Sequence, residues 1–197
     1  MSTEGLIAYC RPGFEPDLAA ELSHHLGVHG IPAYAKTERN SAYVLLLGAP
    51  RELLSEAIAY DRLIFARQKY ALIDELKDLD VGDRITPVLE ALGGKGRYGD
   101  LSVEHPDSDE ARQLAGLAKA FGNALRPALR KRGLLSEKPN EKLPLLHVIF
   151  ISNNHLLLAS STPEDRSPWP MGIPRLRQDT RAPSRSAMKL DEALLCL

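Results

Sequence analysis

The order of apolar runs and turn signals over the first 72 residues limits this chain's fold more than any other feature. Gly5-Leu6-Ile7-Ala8-Tyr9-Cys10 reads as a strand, and Arg11-Pro12-Gly13 turns it into a helix from about Pro16 to Leu26. Strands follow over Ile31 to Lys36 and Ala42 to Leu47, joined through Arg39-Asn40-Ser41. A helix opening at Pro50 carries Leu53, Leu54, Ala57 and Ile58, and a long strand over Arg62 to Leu72 completes the set. A β-α-β-β-α-β order has few solutions. Right-handed crossovers place both helices on one face of a four-stranded antiparallel sheet, the ferredoxin-like arrangement.

The second half follows another plan. Arg84 to Leu92 reads as a short helix, Gly93-Gly94-Lys95-Gly96 as a flexible turn, and Asp100 to His105 as a strand ended by Pro106. Asp107-Ser108-Asp109 then caps a long helix that runs to about Arg132 and closes at Gly133. After a polar linker over 136–144, Leu145 to Ser152 and His155 to Ser161 form a hairpin through Asn153-Asn154. Pro163, Pro168, Pro170, Pro174 and Pro183 make 162–183 an extended, non-helical strap, and Ser184 caps a last helix bearing Met188, Leu190, Ala193, Leu194 and Leu197. The expected fold is α+β, with a ferredoxin-like domain over 1–72, a second α/β domain over 73–161, the strap, and a terminal helix over 184–197.

With 44% apolar and 26% charged residues, the 197-residue chain can bury a sizeable core. Its net charge of −1 hides a division: residues 1–110 carry 11 Lys and Arg against 19 Asp and Glu, while 111–197 carry 14 against 7. A basic half of this size predicts a polyanionic partner such as nucleic acid. No apolar run reaches the roughly 18 residues of a membrane span. The Met1-Ser2-Thr3-Glu4 start lacks the basic region of a signal peptide, so the expected location is cytoplasmic. Cys10 and Cys196 are too far apart in sequence for a metal motif and read as reduced thiols.

The long helix is the most informative element. At 100° per residue, Arg112, Gly116, Lys119, Asn123, Arg126 and Arg130 share one side, and Leu114, Leu117, Phe121, Leu125 and Leu129 the other. Lys131 and Arg132 extend the basic stripe at the C-terminal end, where cations also suit the helix dipole. Downstream, the strap and last helix supply Arg166, Arg175, Arg177, Arg181, Arg185 and Lys189, interleaved with Trp169, a combination that clamps phosphates and stacks on unpaired bases. Trp169 equally suits pinning the strap to the domain. His24, His25 and His29 have no second cluster to complete a metal site, and no glycine-rich cofactor turn or nucleophile triad is present. From the residues alone, two readings stay open: an RNA-binding module, or an interaction module whose basic strap docks on an acidic partner.

Several segments together resemble the ribosomal RNA large subunit methyltransferase M family. They are Tyr9-Cys10-Arg11-Pro12-Gly13-Phe14-Glu15, Leu63 to Gln68, Asp83 to Pro87, His147 to Phe150, Met171-Gly172-Ile173-Pro174-Arg175-Leu176, and Ala182 to Ser186 with Lys189 to Ala193. The resemblance implies a ferredoxin-like domain and a THUMP RNA-binding domain, followed by a Rossmann-like domain that uses S-adenosylmethionine to 2′-O-methylate a cytidine in 23S ribosomal RNA. It implies that Lys189 is the first lysine of a Lys-Asp-Lys-Glu tetrad whose other members have no counterpart here. The chain would then stop in the first helix of the catalytic domain and be inactive alone, binding no cofactor. The absent methyltransferase domain would pack against residues 162–197.

Overall fold

The computed structural model describes residues 4–174 and, beyond them, Leu176, Lys189, Ala193 and Leu194. The first half has the expected order. Strand β1 (Gly5–Tyr9), helix α1 (Glu15–His29), strands β2 (Tyr34–Thr37) and β3 (Tyr43–Leu47), helix α2 (Arg51–Ala57) and strand β4 (Gln68–Leu76) follow one another. They pair antiparallel as β2-β3-β1-β4, the ferredoxin-like order. Leu18, Leu22 and Leu26 of α1 and Leu54 of α2 bury against Leu6, Ala8, Val44 and Leu46, all nearly inaccessible. The buried Glu15 carboxylate holds the turns at one end of this half by accepting the N–H groups of Gly13 and Ala42, the latter at 2.8 Å. That second bond steadies Ala42 at φ 64°, a backbone region costly for a residue with a Cβ.

The second half adds α3 (Ile85–Ala91), β5 (Asp100–Glu104), α4 (Ala115–Lys131), β6 (Leu145–Ser152) and β7 (His155–Ser161). β5 and β6 are parallel with α4 as their crossover, and β6 and β7 form the expected hairpin. α3 and α4 pack Val88, Phe121, Leu125 and Leu129 on Leu146, Val148, Phe150, Leu156 and Leu158. α4 runs on through Pro127 and closes at Gly133, whose φ of 71° lets Leu134 donate back to the Leu129 carbonyl at 2.9 Å.

Several expectations need correction. The strand expected over Arg62 to Leu72 is a 3-10 turn (Tyr60–Arg62), a loop, and then β4 from Gln68 to Leu76, so residues 72 and 73 lie inside one strand. β4 pairs β1 through Gly5↔Leu72 and β7 from Ala71 to Leu76, joining both halves in one seven-stranded sheet, β2-β3-β1-β4-β7-β6-β5. The first helix continues to His29, β2 starts at Tyr34, and a 3-10 turn (Ala111–Leu114) precedes α4. The strap is not uniformly extended: Pro163–Asp165 and Pro170–Gly172 are 3-10 turns. Of the expected terminal helix only Lys189, Ala193 and Leu194 lie among the described residues, all helical and exposed.

The sheet also rolls on itself. Tyr9 of β1 donates a 3.3 Å hydrogen bond to Glu104 of β5, four strands away. In a flat sheet that separation would be roughly 19 Å. The helices lie outside, and Ile7, Tyr9, Tyr43, Leu45, Leu47, Tyr70, Leu72, Ile149, Leu157 and Ala159 from both halves form one inner core. Around Tyr9 sits a buried polar cluster. Ser102 donates to the other Glu104 oxygen at 3.3 Å, and Tyr70 stacks on His147 with centroids 3.7 Å apart. His147 Nε2 lies 2.8 Å from Ser161 Oγ, while its Nδ1 lies 3.3 Å from Glu104 without hydrogen-bond alignment. Burial, and then the Glu104 charge, hold both tyrosine hydroxyls well above the usual phenol range.

Candidate nucleic-acid interface

The α4 stripe is less free than its sequence implies. Arg126 pairs with Asp100 on β5 and donates to the Leu101 carbonyl at 2.9 Å, tying the helix to the edge strand. Arg130 donates to the Ser136 carbonyl at 3.2 Å and so closes the loop that follows the helix. Arg112 lies 3.0 Å from Asp109 and 3.6 Å from Asp107. These three arginines are bonded within the protein. Lys119, Lys131 and Arg132 are exposed, and no ion pair among the described residues involves them.

Two buried side chains of β4 secure the start of the strap. Gln68 accepts the Ser167 N–H at 2.9 Å and donates to the carbonyls of Ser167 at 3.3 Å and Trp169 at 3.5 Å. Lys69 is fully buried, with its ammonium 2.5 Å from Asp165 and further bonds to the carbonyls of Ile58 and Ser55. Burial pulls the ammonium below the usual lysine range, and Asp165 opposes that shift. Trp169 is half-buried, and the strap at that point is pinned through its backbone. Arg175, Arg177, Arg181 and Arg185 lie outside the described residues, as does Cys196. Cys10 is a buried free thiol whose pKa burial, aided by Glu15, pushes up to about 12.

Two of the loops that lead into helices have a backbone N–H already taken by a side chain. At the β1-to-α1 turn the Gly13 N–H is taken by the Glu15 carboxylate. Ahead of α4, Ser108 Oγ already accepts the Ala111 N–H. Among the described residues no cluster of His, Cys, Asp and Glu could hold a metal ion, and no helix is long and apolar enough to cross a membrane.

Sequence reasoning missed Gln68, Lys69, Glu104 and His147. Only His147 carried a signal, as a polar residue inside an otherwise apolar strand, whereas Gln68 and Lys69 open β4 and Glu104 ends β5, positions that read as solvated strand ends.

A solved structure of TrmN from Thermus thermophilus shares the fold, with a TM-score of 0.52 at 13% identity over 82% of this chain and 46% of that one. PH1313 from Pyrococcus horikoshii does so at 0.51 and 8% identity, over 80% of this chain and 54% of its own. The model described as "RlmM ferredoxin-like domain" matches residues 3–70, and that of "Ribosomal RNA large subunit methyltransferase M, N-terminal" matches 83–162. Relatives named "Ribosomal RNA large subunit methyltransferase M" from Xanthomonas axonopodis pv. citri and Xanthomonas campestris pv. campestris are 58% identical over 98% of the chain. The class is therefore that of the N-terminal domains of an RNA-modifying methyltransferase family. The chain belongs to the ribosomal RNA large subunit methyltransferase M family and spans 56% of the length of these relatives.

Proposed function

We propose that this chain is the RNA-recruiting part of an S-adenosylmethionine-dependent enzyme that 2′-O-methylates a cytidine ribose in 23S ribosomal RNA in the cytoplasm. The observation that carries the reading is the 58% identity, over nearly the whole chain, to relatives named as ribosomal RNA methyltransferases. On this reading residues 73–161 form a THUMP-like RNA-binding unit and 162–183 a basic strap. Residues 184–197 lead into a Rossmann-like catalytic domain, which supplies the cofactor site and the other tetrad residues.

The RNA-facing cations of α4 are then Lys119, Lys131 and Arg132, joined by Arg175, Arg177, Arg181 and Arg185 of the strap. Arg112, Arg126 and Arg130 serve as braces that hold the surface in shape, since a guanidinium already bonded to a carboxylate has little left to offer a phosphate. Trp169 positions the strap.

The test is fluorescence anisotropy of the 197-residue chain with 23S ribosomal RNA fragments across a salt series. Each neutralised phosphate on a single strand contributes about −0.7 to the log–log slope, so Lys131→Gln with Arg132→Gln flattens it by about 1.4. Arg126→Gln with Arg130→Gln lowers the melting temperature and leaves the slope unchanged. The reverse pattern would make the braces the RNA contacts, and no salt-dependent binding at all would remove the recruiting role. The same chain gives no calorimetric isotherm with S-adenosylmethionine, and a clear one would place a cofactor site within these residues.

A further inference from the structure

Two segments that carry the family resemblance, Tyr9 to Glu15 and Leu63 to Gln68, meet at the surface without any role in the reading above. The rings of Phe14 and Phe65 stack 6.1 Å apart at 28°. They remain 40% and 36% exposed, and Ile64 beside them is 84% exposed. The loop that presents them is held firmly. Glu21 on α1 accepts the N–H groups of Ile64 at 2.6 Å and Phe65 at 3.1 Å, Leu63 packs into the α1/α2 core, and Arg67 donates to the Tyr9 carbonyl at 2.8 Å. An isoleucine turned outward on a loop pinned at both ends marks a contact surface.

We propose that the Phe14, Ile64 and Phe65 surface is the docking face for the C-terminal portion that the relatives carry beyond the matched region. This rests on the proposed function, in which that portion is the catalytic domain. Continuity with the strap selects this occupant. Gln68 holds Ser167 and Trp169, and Gly172 sits so close to the Arg67 carbonyl that a Cβ there would overlap it. Residues 167–172 therefore run beside this loop. The relatives continue well past it, because this chain accounts for 56% of their length. The charge pattern favours protein over RNA: exposed Arg11 and Arg62 are offset by exposed Asp17 and Asp61, leaving an apolar centre with no net attraction for phosphate. A second copy is disfavoured by size, since three side chains fall far short of the roughly 800 Å² per partner of a stable interface. A tethered domain docks on far less, because its effective concentration is high.

Hydroxyl-radical footprinting of the 197-residue chain, and of a full-length family member carrying these residues, tests the proposal. Phe14 and Phe65 are oxidised readily in the short chain and fall to the level of the buried Phe150 in the long one. Ile64→Asp restores their oxidation in the long protein and leaves the melting temperature of the short chain unchanged. Equal oxidation in both forms overturns the proposal. Protection of the short chain by added RNA, or by raising protein concentration, overturns it too, by identifying RNA or a second copy as the occupant. Methyl transfer measured in parallel separates the two readings. Oxidised rings with intact methylation reject the docking face alone, and protected rings without methylation reject the proposed function alone.

Discussion

Asp165→Ala is expected to lower stability by about 3–5 kcal/mol, the scale set by leaving a buried charge without its partner. Lys69 has almost no access to water, its remaining hydrogen bonds are to backbone carbonyls, and only the weaker field of Asp61 is left to offset its charge. Adding Lys69→Met to Asp165→Ala removes the stranded ammonium and returns most of the loss. Urea unfolding of the two variants and the double variant measures both effects. A loss under about 1 kcal/mol in the single variant would show that the ammonium reaches solvent by rearrangement.

The pH dependence has a definite sign. Because the folded-state pKa of Lys69 lies below its ordinary value of 10.5, the unfolded chain binds more protons in that window, and stability contributed by this group rises with pH. The raised hydroxyl pKa values of Tyr9, Tyr43 and Tyr70 act oppositely, binding more protons in the folded state once free tyrosine begins to ionise near pH 10. The lysine contribution is therefore read below that pH, as the difference between the parent chain and Lys69→Met.

On the proposed function, Lys189→Ala in a full-length family member carrying these residues is expected to slow methyl transfer by about 10²-fold, the range for losing a positioned proton-transfer group, with RNA affinity nearly unchanged. Ribose methylation needs the 2′-hydroxyl oriented toward the methyl group as its proton departs, and a lysine beside that oxygen can hold and tune it. Here Lys189 is helical and exposed. Single-turnover methylation with ribosomal RNA decides the matter. A rate within a few-fold of wild type leaves Lys189 as one more surface cation of the terminal helix.

The ferredoxin-like order and the hairpin through Asn153-Asn154 were legible because local signals coincide with tertiary structure there: turn residues flank each apolar run, and Gly133 supplies the left-handed cap that α4 needs. The roll of the sheet was not. Its signal lay in β1 and β3, which are apolar on both faces rather than alternating, as strands covered on both sides must be. The basic stripe was legible as composition, but the internal bonds of its arginines were not. Helical periodicity places Arg126 and Arg130 beside Lys119, yet only the fold brings Asp100 and the Ser136 carbonyl within their reach. Nor could the sequence show that Phe14 and Phe65, 51 positions apart, stack on each other.

β4 has a consequence for any attempt to excise a piece of this molecule. A fragment ending at Leu72 would keep the pairing with β1 and lose Asp74, Glu75 and Leu76 from the ladder with β7. The complementary fragment would keep Leu156, Leu157 and Leu158 paired with β4 but leave Ala159 and Ser160 of β7 as a bare margin, and would wet Ile149, Leu157 and Ala159, whose inner core is shared with the first half. Such a margin recruits the nearest unpaired strand, and in a concentrated solution that strand belongs to another molecule. Scission between the halves would thus yield strand-exchanged or precipitated material rather than two independent folds.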